Sequence, residues 1–237
     1  MKKTLLLAFL LLGTTAGYAQ LDVQLHYDLG NGLYGNNLGN RPHLTSTVEN
    51  FKADRWGSTY FFVDFDYKDH ESKSAYWEIS RELKFWKAPI SAHVEYDGGL
   101  NTSAGYNDAY LVGPAYGWVS KDFSKNFSLQ LLYKYITGVR QHHNWQVTAV
   151  WGDTFAQGLC TFSGFADLWH DNTVKGNLIF LSEPQFWFNL NKVRGVAKDF
   201  NLSLGSEVEI SNNFVWNTKG QNNRVYAIPT IAAKWTF

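Results

Sequence analysis

Carboxylates an even number of residues apart recur along this chain: Asp64 and Asp66, Glu78 and Glu82, Glu95 and Asp97, Glu207 and Glu209, with Glu183 standing alone. In an extended strand, residues separated by an even number share a face. Tyr60, Phe62 and Tyr76 fall on the same parity as the acids of their own stretches, and Trp187 is joined to them, while Lys84 and His93 are the few bases. Such a face can accept hydrogen bonds from sugar hydroxyls, repel phosphate and favour cations. Its aromatic rings can stack a planar base, worth about 1–3 kcal/mol per base in single-strand binders. It is a poor hydrolase, because nucleophilic catalysis needs a nucleophile, a base and an orienting group within reach of one another. The cluster "RQHHNW" (140–145) offers His142, His143 and Asn144, but no serine lies within or beside it. Catalysis is therefore not expected. His26 and His93 share the polar parity without close ligand spacing, so no metal and no cofactor is expected. Cys160 reads as a small apolar filler.

The elements that must carry these residues are strands. "LDVQLHYDLG" (21–30) alternates without a miss: Leu21, Val23, Leu25, Tyr27 and Leu29 against Asp22, Gln24, His26 and Asp28. The same period opposes Trp77, Ile79, Leu83 and Phe85 to Tyr76, Glu78, Ser80, Glu82 and Lys84. It returns in "ISAHVEYD", "FSLQLLYKY", "NWQVTAVW" and "FNLSLGSEVEI". Twelve strands are expected, near 21–30, 44–53, 58–68, 74–86, 90–97, 109–120, 127–137, 144–152, 159–169, 177–190, 200–211 and 224–237. The second, sixth and ninth are the least regular. Pro114 and Pro229 interrupt strands, and each predicts a bulge or a locally hydrated site.

Residues 1–19 read as a cleaved signal peptide: Lys2 and Lys3, the apolar run Leu5–Leu12, then small residues up to Ala19. That run is too short for a membrane helix, which needs about 20 residues. Residues 20–237 then form one domain. The strands are close to the 9–11 residues of a tilted membrane strand, and long Gly- and Asn-rich connections such as "GNGLYGNNLGNRPH" alternate with tight ones such as "ADRWG". Aromatics cluster at strand ends: Phe85, Trp86, Trp145, Trp151, Phe186, Phe188, Trp235 and Phe237. The expected fold is all-β, a closed antiparallel transmembrane β-barrel of about 12 strands in the outer membrane of a Gram-negative bacterium. Lipids would contact its apolar face. The competing architecture is a secreted β-sandwich or lipocalin-like barrel, which alternates too but turns its apolar side inward. Zero formal net charge and a mean hydropathy of −0.29 give no sign of a nucleic-acid partner.

"KADRWGSTYFFVDFDY" (52–67), "YWEISRELKFWKAPISAHVEYDGG" (76–99), "NDAYLVGPAYGW" (107–118) and "LSEPQFWFNL" (181–190) resemble the nucleoside-specific channel-forming (Tsx-like) outer-membrane family, above all its relatives with a domain of unknown function. The resemblance implies a monomeric twelve-stranded barrel with a narrow lumen that passes nucleosides. The terminal Phe237 on an alternating strand is what the barrel-assembly machinery recognises in this class, which makes that machinery an expected partner.

If the apolar face meets lipid, the candidate pore-lining and substrate-binding set is Tyr60, Phe62, Asp64, Asp66, Tyr76, Glu78, Glu82, Lys84, His93, Glu95, Asp97, Glu183, Trp187, Glu207 and Glu209. The expected function is passive diffusion of small solutes, nucleosides leading. A barrel hydrolase, or a filled structural barrel whose acids pair with Lys84, Lys134 and Arg224, are the alternatives.

Overall fold

The computed structural model describes residues 19–38, 41–69, 71–102, 105–171, 177–215 and 223–237; the signal-peptide stretch lies outside them up to residue 18. The described strands are β1 (Ala19–Asp28), β2 (Leu44–Asp54), β3 (Gly57–Lys68), β4 (Glu71–Leu83), β5 (Ile90–Asn101), β6 (Ala109–Val119), β7 (Lys125–Ile136), β8 (His143–Phe155), β9 (Cys160–His170), β10 (Leu178–Ser182), β11 (Gln185–Asn189), β12 (Leu202–Asn212) and β13 (Val225–Thr236). A short helix α1 (Gly30–Tyr34) and a 3-10 turn (Gly35–Leu38) follow β1.

Neighbours in sequence pair antiparallel around the ring, and β1 closes on β13 with Val23 opposite Trp235 and Tyr27 opposite Ile231. Both β10 and β11 pair with β9 and with β12, so they are two halves of one strand and the closed barrel has twelve. Closure leaves no edge, as a sheet in lipid requires.

The single tenth strand expected over 177–190 is broken at Glu183 and Pro184. Proline cannot donate to a ladder. The chain stays in the wall through flanking bonds, Glu183 N to Phe165 O (3.1 Å) and Val208 N to Pro184 O (3.0 Å). Gly164, at φ +151°, makes room for the break, since a Cβ there would lie 2.5 Å from Glu183 O. Pro114 and Pro229 produce gaps rather than bulges. The β6–β7 pairing skips Gly113 and Pro114 and resumes in register at Ala115 opposite Gln130. Beside Pro229, the β12–β13 pairing runs from Gly205↔Ala232 to Val208↔Pro229. There the Thr230 hydroxyl stands in for the ladder, accepting from Glu207 N at 3.1 Å. Among the described residues, a register shift lies elsewhere, at Asp66/Tyr67 between β3 and β4.

Burial decides which face is inside. Leu25 is 47 % and Ile231 64 % exposed, whereas Gln24 is 1 % and His26 4 % exposed. The apolar set therefore faces outward and the polar set inward, the reverse of a soluble barrel with an apolar interior. At the end carrying Ala19 and Phe237 (the near end), outward aromatics pack in neighbouring pairs: Trp56 tilted against Phe85 at 5.6 Å and Phe200 edge-on to Trp235 at 5.7 Å. Loop lengths alternate less regularly than expected. The near-end connection 190–201 is long, while β3 and β4 are joined at the far end by 69–70 alone.

Candidate functional site

The interior is built from cross-strand rows of inward residues. One row runs Asp22–Glu49–Phe62–Glu78–Asp97 across β1 to β5, each directly opposite the next. A second, one step toward the far end, runs Gln24–Thr47–Asp64–Tyr76–Gly99. A third, one step toward the near end, carries Phe51, Tyr60, Ser80 and Glu95. Like charges directly opposite each other are destabilising, so the acids must find other partners.

Most of them do. Glu49 accepts from Gln24 Nε2 at 2.8 Å and from the Tyr60 hydroxyl at 3.0 Å. Asp64 accepts from Thr47 Oγ1 at 2.5 Å; Asp66 accepts from Thr45 Oγ1 at 2.7 Å and Ser74 Oγ at 2.6 Å. The Tyr76 hydroxyl donates to Glu78 Oε1 at 2.7 Å. His93 is wedged between two acids, Nδ1 at 2.7 Å from Glu82 and Nε2 at 3.1 Å from Glu95, and Ser91 donates to the other oxygen of Glu82. On the opposite wall, Gln185 Nε2 donates to Glu207 at 2.6 Å, and Trp187 Nε1 to Gln185 Oε1 at 2.9 Å. Trp187 is fully buried; Gly205 leaves it room, since a Cβ there would lie 2.6 Å from its ring. Glu183 sits at the strand break, among the carboxyl groups of Glu207, Glu209 and Asp64.

Fourteen of the fifteen expected interior residues thus lie on inward-facing positions. Lys84 does not. It falls just beyond β4 in the exposed connection 84–89. Arg224 is also no partner for the interior acids; its guanidinium lies over the Tyr34 and Tyr226 rings at 5.9 and 5.3 Å. Among the described residues, the interior cations are Arg41, Lys134 and Lys234. Arg41, from the connection after α1, bridges Asp28 at 2.7 Å and Glu209 at 2.6 Å. Lys134 lies 3.4 Å from Asp97, and Lys234 lies 4.5 Å from the Trp187 ring centroid. Lys234 was legible from its parity opposite Ile231, Ala233 and Trp235. Arg41 sits in a loop with no period, and Glu49 and Asp167 sit on β2 and β9, where alternation is weak.

The rings of Tyr60, Phe62 and Tyr76 form a run at centroid spacings of 6.2 and 6.0 Å, extended by Tyr106 at 6.0 Å. Toward the far end the interior turns apolar. Leu111, Leu132 and Ile136 cluster on β6 and β7, and Leu38, Val215, Tyr226 and Ile228 cluster under the α1 segment with Tyr34. The two histidines first considered for metal do not meet: His26 lies between Gln24 Oε1 (2.9 Å) and Thr230 Oγ1 (3.2 Å), away from His93. His142, His143 and Asn144 serve the rim. His142 bonds Ile136 O, His143 the Tyr133 hydroxyl, and Asn144 the ring of His170.

The fold is similar to that of the NanC porin (TM-score 0.57, 9 % identity, covering 92 % of this chain and 100 % of that one). It is also similar to the KdgM porin (TM-score 0.51, 10 % identity, 92 % and 99 %) and to the KdgM porin in complex with disordered oligogalacturonate (TM-score 0.50, 11 % identity, 92 % and 99 %). These neighbours are porins. No curated protein matches the chain in sequence. The family described as "Domain of unknown function (DUF5020)" matches residues 19–237. This is the side of the sequence resemblance that holds; nucleoside specificity is not part of the match.

Proposed function

Since the chain belongs to the DUF5020 family over residues 19–237, we propose from its own interior that it is an outer-membrane channel for passive diffusion of neutral or cationic small solutes, with nucleosides the leading candidates. The observation that carries this reading is the pairing, on one inward wall, of the aromatic run Tyr60–Phe62–Tyr76 with the carboxylates Asp64, Glu78 and Asp97. Rings of one sign of charge are a selectivity device in pores. Aromatic faces hold a nucleobase whatever its identity, and carboxylates accept from ribose hydroxyls while repelling phosphate. Oligogalacturonate, the ligand of one KdgM porin structure, is a polyanion. An acidic wall disfavours that solute, so the chain carries a different cargo on a shared fold. Planar-bilayer recording on the purified protein tests the proposal. Stepwise current, reduced by adenosine or thymidine, is expected. Current indifferent to both removes the nucleosides and keeps the pore.

A second reading rests on the far end. There the α1 segment packs Leu38 and Tyr34 against Tyr226 and Ile228 inside the wall, as a plug would. Absence of any current would favour this filled, non-conducting barrel.

A further inference from the structure

We propose that Glu78, Glu95 and Asp97 form a divalent-cation site in the barrel wall, best suited to Ca²⁺. The proposal needs the barrel but not conduction through it. One ligand oxygen from each of the three carboxylates lies within 4.8 Å of the others. Glu78 and Asp97 are directly opposed across β4 and β5, and Glu95 is two residues from Asp97 on the same face. Each carboxylate has one oxygen held by a neighbour: Glu78 Oε1 by the Tyr76 hydroxyl, Glu95 Oε2 by His93, and Asp97 Oδ2 by Lys134. Such outer contacts orient ligands around a metal.

Independently of the acid cluster as such, Asp97 is 4 % exposed and its second oxygen, Oδ1, is buried without a hydrogen-bond partner. A buried carboxylate oxygen left unpaired is costly, and a cation in the cluster would satisfy it. The nearby Asp167 Oδ1, on β9, is likewise buried and unpartnered. Lys134 supplies one positive charge beside the three carboxyl groups, so acids outnumber cations at the site. An all-oxygen donor set suits Ca²⁺, Mg²⁺ or Mn²⁺ rather than Zn²⁺. Ca²⁺ accepts flexible sets of oxygens at about 2.3–2.6 Å, whereas Mg²⁺ demands a near-ideal octahedron at about 2.0–2.1 Å.

The test is calorimetric titration of the purified full-length chain in detergent with CaCl₂. It is repeated with terbium as a luminescent probe excited through Tyr76, whose hydroxyl is 2.7 Å from Glu78. Saturable Ca²⁺ binding that displaces terbium is expected, weakened at least about tenfold in Glu95→Gln and Asp97→Asn. Folding of each variant is checked by heat-modifiable gel mobility. Lys134→Gln provides a test in the opposite direction, because it removes the ammonium that competes for Asp97 and should tighten Ca²⁺ binding severalfold. No Ca²⁺ binding by the unmodified chain, binding indifferent to both carboxylate substitutions, or binding unchanged or weakened by Lys134→Gln would overturn the site. Conductance of the unmodified chain measured without divalent ions does not depend on the site, so loss of the site and loss of the pore reading are separable.

Discussion

Phe62 lies between Tyr60 and Tyr76 and directly opposite Glu78 on the inward wall. It has no polar atom, so any contribution to solute binding comes through its face. Replacing Phe62 by Ala removes one stacking surface and no charge. Taking the low end of base–aromatic stacking, about 1 kcal/mol, nucleoside block should weaken about fivefold while the open-pore current persists. Titrating block with adenosine in a bilayer measures this; unchanged block would move the binding surface elsewhere. At the near-end turn, Asp122 is fully exposed yet its carboxyl is drawn from the usual 3.8 to about 2 by hydrogen bonds from the Ser120 and Ser124 hydroxyls and the Ser124 amide. A carboxyl with a lowered folded-state pKa stabilises above its unfolded value and loses that contribution as pH falls through the folded one. The stability gap between the unmodified protein and Asp122→Asn should therefore be constant above about pH 4 and close between there and about pH 2. Urea-unfolding midpoints across that range measure it. A gap that persists at pH 2 would assign the turn's stability to something other than this carboxylate.

At the scale of strands, facing follows from period two. Ile79 points outward at 48 % exposure and Glu78 inward, with Leu83 and Glu82 repeating the pair. After Cys160→Ser, cysteines at 79 and 83 should be shielded by lipid from water-soluble thiol reagents in vesicles, and those at 78 and 82 should label if the lumen is wet; the reverse pattern would contradict the assignment of faces. The same period explains what was legible in the sequence. One buried face and one outward face impose an alternation that a one-residue slip would invert, so strands such as β1, β4, β7 and β13 declare themselves. The split of the tenth strand was missed because its alternation continues through it: Ile179 and Leu181 lead in parity to Glu183, Gln185 and Trp187 across Pro184. On β6 the inward positions hold Leu111 and Ala115, and on β2 Glu49 lies among residues of intermediate burial. With less contrast between the faces, the period carries less information. Arg41 was invisible because a loop has no period; only the folded loop brings it to Asp28 and Glu209.

For the whole molecule, balanced composition conceals segregated charge. The chain has 21 Lys and Arg against 21 Asp and Glu, yet the inward rows collect carboxylates from β1 to β5 and from β12, against the cations Arg41, Lys134 and Lys234. A zero net charge therefore says nothing about the field in the lumen, which low-dielectric walls focus. The proposed pore should pass K⁺ in preference to Cl⁻, measured as the reversal potential in a salt gradient without divalent ions. The acids should not contribute equally. Glu82 is met by His93 at 2.7 Å and by the Ser91 hydroxyl, whereas Glu78 has the Tyr76 hydroxyl as a donor and faces Asp97 directly. Glu78→Gln should therefore lower cation preference more than Glu82→Gln, and the double variant should fall close to Glu78→Gln alone. Equal effects would mean that His93 does not neutralise its neighbour. Anion selectivity in the unmodified protein would be incompatible with an acidic lumen, and would remove both the charge argument and the solute class drawn from it.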